Sequence, residues 1–306
     1  MISTHRRFLT MLAALCLTVG LAACGGDDKS DKSEKPTITV GSKNFTEQFI
    51  LGEIYAQTLE KEGFKVKRRL NLGSEQVAYK ALKGGDVDMY PEYVGTALTS
   101  FFQIKVADVP TDAEAAYAQA KKEYAKNGIT ALAHTPFQNT YVVTTTKATD
   151  AKVGSPKTVS ELFEKKPDFS ISGFPECRQR ADCLLGLRDS YGFKGKFVSS
   201  DGKFSDLDGG QAELTLAFGT DPQILLTEKY ATYQDDKKLF PPYNVTLGIR
   251  DETVKKIGPD AVKALEAVQK GMTVPAMREL NRRVELDKQQ PKKVAGDYLK
   301  EEGFDK

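Results

Sequence analysis

The chain lacks tryptophan and has only two histidines and four cysteines among its 306 residues. Aromatic recognition therefore has to come from its 12 tyrosines and 16 phenylalanines. One histidine, His5, falls in a segment typical of a cleaved leader, which leaves His134 alone for chemistry. This scarcity excludes a histidine-rich metal site, and any Ser-His-Asp or Cys-His arrangement would have to use that single residue. We expect no catalytic residue, no metal and no cofactor.

Neither sign of charge dominates, with 44 Lys and Arg against 42 Asp and Glu. No basic field is available to hold nucleic acid, so we expect no nucleic-acid partner. A long hydrophobic run is also missing, because the apolar stretch at 8–19 is too short to span a bilayer. The length of the chain suits one large or two medium domains with ample core.

The first 23 residues have the pattern of an export signal: a basic start, the apolar stretch, and then Leu21-Ala22-Ala23-Cys24. That last segment resembles a bacterial lipobox, in which the cysteine is lipidated; the alternative is an ordinary leader that contains a cysteine. We therefore expect a lipoprotein signal peptide at 1–23 and lipidation at Cys24. Residues 24–36 are small and charged and predict a flexible tether. The expected location is the outer face of the bacterial cytoplasmic membrane, held there by the lipid.

Removal of the leader takes away Cys16 and two arginines, which brings the mature net charge to zero. With Cys24 used for lipid, only Cys177 and Cys183 remain, and outside the cytoplasm such a pair is expected to form a disulfide. Its expected role is to stiffen the short loop that carries Arg178 and Arg180. A redox or zinc role is the weaker alternative, since two cysteines alone cannot complete a zinc site.

From residue 36 onward, short β-rich runs alternate with helical patterns. The first series includes a strand at 87–90 that Pro91 is expected to end, and its βαβα order implies a parallel sheet covered by helices. A second series begins with a strand at 140–146 and includes a predicted helix over 210–218. The chain returns near 245, and three helical stretches follow. These patterns predict an α/β fold of two lobes, with 37–139 and 245–306 in lobe I and 140–244 in lobe II.

Two blocks, GSKNFTEQ at 41–48 and GDVDMYPEYVGT at 85–96, make the sequence recognisable. Together with weaker matches at 139–141, 180–187, 220–221 and 235–243, they resemble the substrate-binding proteins of quaternary-amine ABC importers. This is the glycine betaine/carnitine/choline osmoprotectant family. The resemblance implies a periplasmic-binding-protein fold, type II-like, in which two α/β lobes enclose a ligand cleft.

The resemblance also implies an aromatic cage for a quaternary ammonium group, made of Tyr93, Tyr141, Tyr243 and Phe218. Many relatives have tyrosine at the position of Phe218, so a phenylalanine there keeps the ring face and loses the hydroxyl. Ring faces suit such a cation because their negative quadrupole attracts it while their carbon surface accepts its methyl groups. Without the resemblance, each tyrosine would be read as a half-buried packing residue.

For a ligand carboxylate, the resemblance implies Lys43, Thr96 and Arg180, with Arg178 as the neighbour that could be mistaken for Arg180. Arginine offers a planar donor fork, lysine a point charge and threonine a neutral donor. Taken alone, such a lysine or arginine is read as a solvated surface charge. Retention of Thr96 together with both basic residues favours a carboxylate-bearing ligand such as glycine betaine.

The expected function is that of an extracytoplasmic binding component, a monomer and not an enzyme, that delivers a quaternary ammonium solute to an ABC permease. One alternative is the same fold with another solute, such as choline, carnitine or an amino acid. Two further alternatives belong to other classes: an exported enzyme, and an adhesin-like surface lipoprotein that binds a protein partner.

Overall fold

The computed structural model describes residues 35–304. The predicted signal peptide, the lipid site at Cys24 and nearly all of the predicted tether lie outside the described residues. The strands are β1 Thr37–Gly41, β2 Lys65–Arg69, β3 Met89–Tyr93, β4 Ile129–Ala131, β5 Tyr141–Thr146, β6 Ile171–Gly173, β7 Phe197–Ser199, β8 Leu214–Phe218, β9 Tyr230–Tyr233 and β10 Val245–Arg250. The helices are α1 Thr46–Lys61, α2 Glu75–Gly84, α3 Val94–Thr96, α4 Ala113–Ala125, α5 Lys147–Lys152, α6 Val159–Lys165, α7 Leu184–Tyr191, α8 Phe204–Asp208, α9 Asp251–Lys270, α10 Val274–Glu285 and α11 Pro291–Glu301.

The strands form two five-stranded sheets, in the orders β2-β1-β3-β10-β4 and β7-β6-β8-β5-β9. The chain leaves the first sheet after β4 and returns to it as β10, which confirms the expected α/β fold with two lobes. The exact residues at which the lobes divide stay a prediction. We use lobe I for the part that carries the first sheet and lobe II for the part that carries the second.

The four strands of the first series, β1 to β4, run parallel to one another as expected, but β10 joins them antiparallel, and both complete sheets are mixed. In lobe I, β1 runs parallel to β2 and β3, whereas β10 is antiparallel to both β3 and β4. In lobe II, β6 is parallel to β7 and β8, whereas β5 is antiparallel to β8 and β9. The antiparallel strands β5 and β10 are the ones that follow the crossings between lobes. Local sequence patterns do not show a strand's direction.

Pro91 lies inside β3 and does not end it, so the predicted strand bounds of 87–90 were wrong. β3 pairs with β1 only at Met89, while its pairing with β10 continues from Met89 to Tyr93. Beyond Met89, no neighbouring strand pairs with β3 on its β1 side. The backbone N–H that Pro91 lacks is therefore not needed there for a hydrogen bond between strands. Proline is tolerated in a sheet under that condition.

The predicted helix over 210–218 was also wrong, because Leu214–Phe218 form the strand β8. This strand pairs with β5 on one side and with β6 on the other, and its first four residues are buried. The sequence of β8, LTLAF, is apolar except for Thr215 and is only five residues long. Periodicity alone cannot distinguish such a run from a buried helix.

Cys177 and Cys183 form the disulfide that the sequence predicts, with their Cα atoms 5.2 Å apart. The bridge closes the loop between β6 and α7, and both cysteines are buried in the core of lobe II. Among residues 35–304, no helix is long and apolar enough to cross a membrane.

Candidate functional site

Strand ends bring the candidate residues to one edge of each sheet. In lobe I, the parallel strands β1 and β3 end next to Lys43 and at Tyr93. In lobe II, the parallel strands β6 and β8 end just before Phe174 and at Phe218. The carboxyl ends of parallel strands lie at the same sheet edge, where α/β folds place their ligands. Each lobe therefore directs its own set of candidate side chains into the cleft.

The two strands that follow the crossings add the remaining rings. Tyr141 begins β5 and lies opposite Phe218 in the antiparallel register. Val245 begins β10 opposite Tyr93, so Tyr243, two residues earlier, lies beside the end of β3. Residues far apart in the chain, such as Tyr141 and Phe218, thus meet because an antiparallel strand starts where its neighbour ends.

All seven residues expected to bind the ligand line one pocket between the lobes, which we call the ring pocket. Arg178, the neighbouring arginine that the motif could also have indicated, does not line this pocket. It is exposed and stacks on Phe197. The ring pocket is lined by Lys43, Asn44, Phe45, Glu75, Tyr93, Thr96, Asn139, Tyr141, Phe174, Glu176, Arg180, Phe218 and Tyr243. The structure brings the expected set together, and the role of each member stays a prediction.

Five rings of the pocket form a continuous arc in the order Tyr93, Phe45, Phe218, Tyr141 and Tyr243. The successive ring centres are 6.1, 5.8, 5.3 and 5.7 Å apart. The sixth ring, Phe174, lies against Phe45 and Phe218. Rings at these distances are in mutual contact and hold one another in place.

Buried carboxylates fix two of these rings through their hydroxyl groups. The Tyr93 hydroxyl donates to Glu47 Oε1 at 2.7 Å, and the Tyr243 hydroxyl donates to Asp182 Oδ2 at 2.6 Å. These hydrogen bonds fix the positions of Tyr93 and Tyr243 in the lining of the pocket.

Lys43 lies in the loop between β1 and α1 and is buried against Glu92, whose carboxylate accepts a hydrogen bond from its ammonium group. The same ammonium nitrogen is 4.4 Å from the centre of the Tyr93 ring. Burial raises the pKa of Glu92, although the charge and hydrogen bond of Lys43 act in the opposite direction. Lys43 therefore brings a positive charge to the pocket wall and already has one internal partner.

Arg180 is held by Asp182, two residues later in the disulfide loop. Its Nε and Nη2 atoms donate to the two oxygens of Asp182 at 2.9 and 2.6 Å, and Nη2 also donates to Thr96 Oγ1 at 3.3 Å. Thr99 and Tyr243 donate to Asp182 as well. Burial opposes ionisation of Asp182, but the charge and hydrogen bonds of Arg180 outweigh it and hold its pKa below the usual value. We call these five residues the Arg180 network.

On the other side of the ring pocket, Glu47 receives four hydrogen bonds, all from neutral groups. The donors are Tyr93, Asn139, Thr220 and Asn281, and with Glu47 they form what we call the Glu47 network. Glu47 is 2% exposed, and burial raises its pKa although the hydrogen bonds from Thr220, Tyr93 and Asn281 lower it. Since Thr220 belongs to lobe II and Glu47 to lobe I, this network also joins the lobes.

A larger polar cavity of about 470 Å³ lies next to the Glu47 network and shares Phe45, Phe174 and Phe218 with the ring pocket. Lys203 in this cavity forms ion pairs with Asp221 of lobe II and with Glu285 of lobe I. Its ammonium nitrogen is 5.4 Å from the centre of the Phe218 ring. Phe218 therefore separates a charged polar cavity from the ring pocket.

The sequence interpretation missed several pocket residues, of which Phe45, Phe174 and Glu75 touch the groups described above. Phe45 stands inside the recognised block at 41–48 and could have been found by its distance of two residues from Lys43. Phe174 and Glu75 carried no comparable signal. Glu75 follows Ser74, the N-cap residue of α2, and an acidic residue in the first turn of a helix is ordinary, so its position in the sequence does not indicate a pocket residue.

Residues 36–301 match the family described as the substrate-binding domain of ABC-type glycine betaine transport systems. The chain is 30% identical over 306 residues to a glycine-betaine-binding protein of Pseudomonas aeruginosa. The aligned region covers 95% of this chain and 94% of that protein. It is also 30% identical over 304 residues to a Helicobacter pylori protein named ergothioneine transport permease/ergothioneine binding protein. That similarity includes 98% of this chain and 53% of the Helicobacter protein, so the chain spans about half of its length.

Among solved structures, one described as a glycine betaine/carnitine/choline ABC transporter is similar to this chain with a TM-score of 0.71. The two are 22% identical, and the similarity covers 88% of this chain and 100% of the other. At that level of identity the likeness concerns the fold, and it agrees with two α/β lobes around a cleft.

Proposed function

The chain belongs to the family of substrate-binding domains of ABC-type glycine betaine transport systems, and on that premise we propose that it binds a quaternary ammonium solute in the ring pocket. The observation that carries the proposal is the arc of five aromatic rings between the lobes. Members of this family are substrate-binding components of transporters and are not enzymes. Their partner is an ABC permease.

A trimethylammonium group has no N–H to donate, and its charge is spread over methyl groups. Aromatic faces bind it by electrostatic attraction and by contact, with about 1–2 kcal/mol from each desolvated ring. The cage of this proposal consists of Tyr93, Tyr141, Phe218 and Tyr243, with Phe45 added from the structure. Because Tyr93 and Tyr243 are fixed by their hydroxyl groups, little side-chain freedom is lost when the ligand binds.

Glycine betaine is the proposed ligand because two cationic side chains that can donate to a carboxylate, Lys43 and Arg180, line the pocket. The ammonium group of Lys43 has three N–H groups, and within the described residues one carboxylate, Glu92, pairs with it. The Nη1 end of Arg180 is not used by Asp182 or Thr96. Lys43 and Arg180 also lie against Tyr93 and Tyr141, so a ligand carboxylate that pairs with either cation lies beside a ring of the cage.

The bound solute contacts residues of both lobes and so stabilises the closed arrangement over an open one. A ligand shifts such an equilibrium by its difference in affinity for the two forms. The closed form is what the permease receives in this proposal. Substrate-binding proteins of ABC importers act outside the cytoplasm. A lipid on Cys24 as membrane anchor, and action as a monomer, complete the proposal.

Isothermal calorimetry on the purified protein tests this function. The panel consists of glycine betaine, carnitine, choline, several amino acids and ergothioneine, the last because of the Helicobacter relative. We expect glycine betaine to bind, and we expect Tyr141→Ala to weaken it by about tenfold or more, from the loss of one ring contact. Tyr93→Ala is expected to do the same, but it also removes a donor from Glu47, so Tyr141→Ala is the cleaner variant.

Tyr117→Ala is the matched control, because Tyr117 lies on α4 outside the ring pocket and should leave affinity unchanged. Absence of binding with every quaternary amine would end the proposal. Binding that survives both Tyr93→Ala and Tyr141→Ala unchanged would instead remove the cage and leave another site to be found.

A further inference from the structure

Glu75 brings a carboxylate to the ring pocket at the place where Arg180 has donors left. It is the first residue of α2 in lobe I, is 7% exposed and lines the pocket. Its Oε1 atom is 3.7 Å from Nη1 of Arg180 in lobe II. This is an ion pair across the cleft at a separation longer than a hydrogen bond.

The position of Glu75 matters because of how the rest of the arginine is used. Asp182 occupies Nε and Nη2, and Thr96 occupies Nη2 as well. Within residues 35–304, no hydrogen bond engages Nη1. The part of the guanidinium that remains for a ligand carboxylate is therefore the part that faces Glu75.

A zwitterionic ligand and a purely cationic ligand meet this arrangement differently. A ligand carboxylate on Nη1 would lie close to the carboxylate of Glu75, and like charges at that range disfavour each other. A ligand that ends in a hydroxyl group brings no second anion, and its ammonium charge is attracted by Glu75. The same glutamate thus opposes one class of quaternary amine and favours the other.

We propose that Glu75 is a specificity-determining residue of the ring pocket, which shifts its preference from carboxylate-bearing betaines toward cationic, choline-type ligands by competing for Arg180. This inference rests on the proposed function, because it assumes that a quaternary amine occupies the pocket. It concerns the ratio of two affinities and leaves open which of them is larger in the unaltered protein.

Glu176 offers a matched comparison. It is the other glutamate that lines the ring pocket, it is half-buried, and no ion pair within the described residues involves it. Glu176→Gln therefore removes the same charge from the same pocket without releasing Arg180. The side chain of Glu75 takes part in no hydrogen bond within the described residues, so Glu75→Gln removes its charge without breaking one.

The experiment is calorimetric titration of glycine betaine and of choline into the unaltered protein, Glu75→Gln and Glu176→Gln. We expect Glu75→Gln to raise the ratio of betaine affinity to choline affinity by about tenfold or more. A nearby charge that changes a binding equilibrium tenfold is as strong as one that shifts a neighbouring pKa by about one unit. Glu176→Gln should change the ratio by less than about threefold. Glu75→Thr, a second neutral variant of different shape, should agree with Glu75→Gln in direction.

An unchanged ratio in both Glu75 variants, with both ligands still bound, would overturn the inference. Equal rises in Glu75→Gln and Glu176→Gln would overturn it too, because the effect would then follow the net charge of the pocket and not the pairing with Arg180. If the unaltered protein binds neither ligand, the proposed function itself fails, which is a different result.

Discussion

The Arg180 network and the Glu47 network lie on opposite sides of the ring pocket and are built in the same way. Each joins the two lobes, each centres on a buried carboxylate, and each holds one tyrosine of the ring pocket through its hydroxyl group. Asp182 binds the hydroxyl of Tyr243, and Glu47 binds the hydroxyl of Tyr93.

The two networks differ in how the buried charge is compensated. Asp182 has a bidentate cation, and its pKa is held low because the pairing with Arg180 outweighs burial. Glu47 has only neutral donors, and burial raises its pKa. Pairing with Arg180 therefore favours the ionised form of Asp182, whereas at Glu47 the neutral donors do not offset the effect of burial, which favours the protonated form. Two similar-looking contacts between lobes should therefore respond differently to mutation and to pH.

Removal of the counter-ion should have the largest effect. Asp182→Ala leaves the guanidinium of Arg180 buried without its main partner and is expected to lower the free energy of unfolding by about 3–5 kcal/mol. Glu47→Gln, which keeps a polar group among neutral donors, should cost clearly less. Urea unfolding followed by circular dichroism measures both.

Asp297→Ala serves as the control for loss of an aspartate, because Asp297 forms an exposed helical pair with Lys293. It should change the free energy of unfolding by less than about 0.5 kcal/mol. If Asp182→Ala cost no more than Glu47→Gln, the distinction between a paired and an unpaired buried carboxylate would not hold in this protein.

Loss of the disulfide should have an intermediate effect, confined to one side of the pocket. Replacing Cys177 and Cys183 by serine reopens a loop of sequence separation 6 and is expected to cost about 2 kcal/mol in the chain-entropy account. Because Arg180 lies inside that loop, ligand affinity should fall as well. Thermal unfolding measures the effect on stability, and calorimetric titration measures the effect on ligand affinity. Both are carried out on the double variant and on the unaltered protein, with and without a reducing agent.

Reduction of the unaltered protein should reproduce the double variant, and the double variant itself should not respond to the reducing agent. A loss of stability without any loss of affinity would mean that the disulfide does not position Arg180.

The pH dependence of stability should give the smallest effect and separates the networks by sign. Glu47 has a pKa raised above its ordinary 4.5, so its contribution is fully present below 4.5 and is lost as pH rises through the higher folded value. Asp182 has a pKa lowered below 3.8, so its contribution is present above 3.8 and is lost as pH falls through the lower folded value. Each involves one proton, which limits the slope to about 1.4 kcal/mol per pH unit.

The free energy of unfolding of the unaltered protein should therefore fall relative to that of Glu47→Gln as pH rises from 4.5. Glu92 and Asp221 also have raised pKa values, from burial, so the comparison with Glu47→Gln is needed to isolate Glu47. Asp182→Asn should differ from the unaltered protein in its pH dependence only below about pH 4, the ordinary range of aspartate. A constant difference between the unaltered protein and Glu47→Gln across the range would contradict the assignment.

Much of the architecture could be predicted from local patterns. The strands that begin near residues 37, 65 and 141 and the helix from Thr46 have clear start and stop signals, and the structure has them at those places. The strand Leu214–Phe218 could not be recognised in this way, because a run of five mostly apolar residues is too short for periodicity to distinguish a strand from a buried helix. Its neighbours β5 and β6 decide its conformation, and they lie far away in the sequence.

By itself, the sequence determined the kinds of group that this protein can use. Its lack of tryptophan restricts any aromatic cage to tyrosine and phenylalanine, and two recognisable blocks named Lys43, Tyr93 and Thr96. Only the tertiary structure decided which charges meet. Lys43 pairs with Glu92 across 49 positions, and Glu75 faces Arg180 from the other lobe. Electrostatic interaction depends on distance through space and on burial, and both are set by how strand ends and lobes pack together.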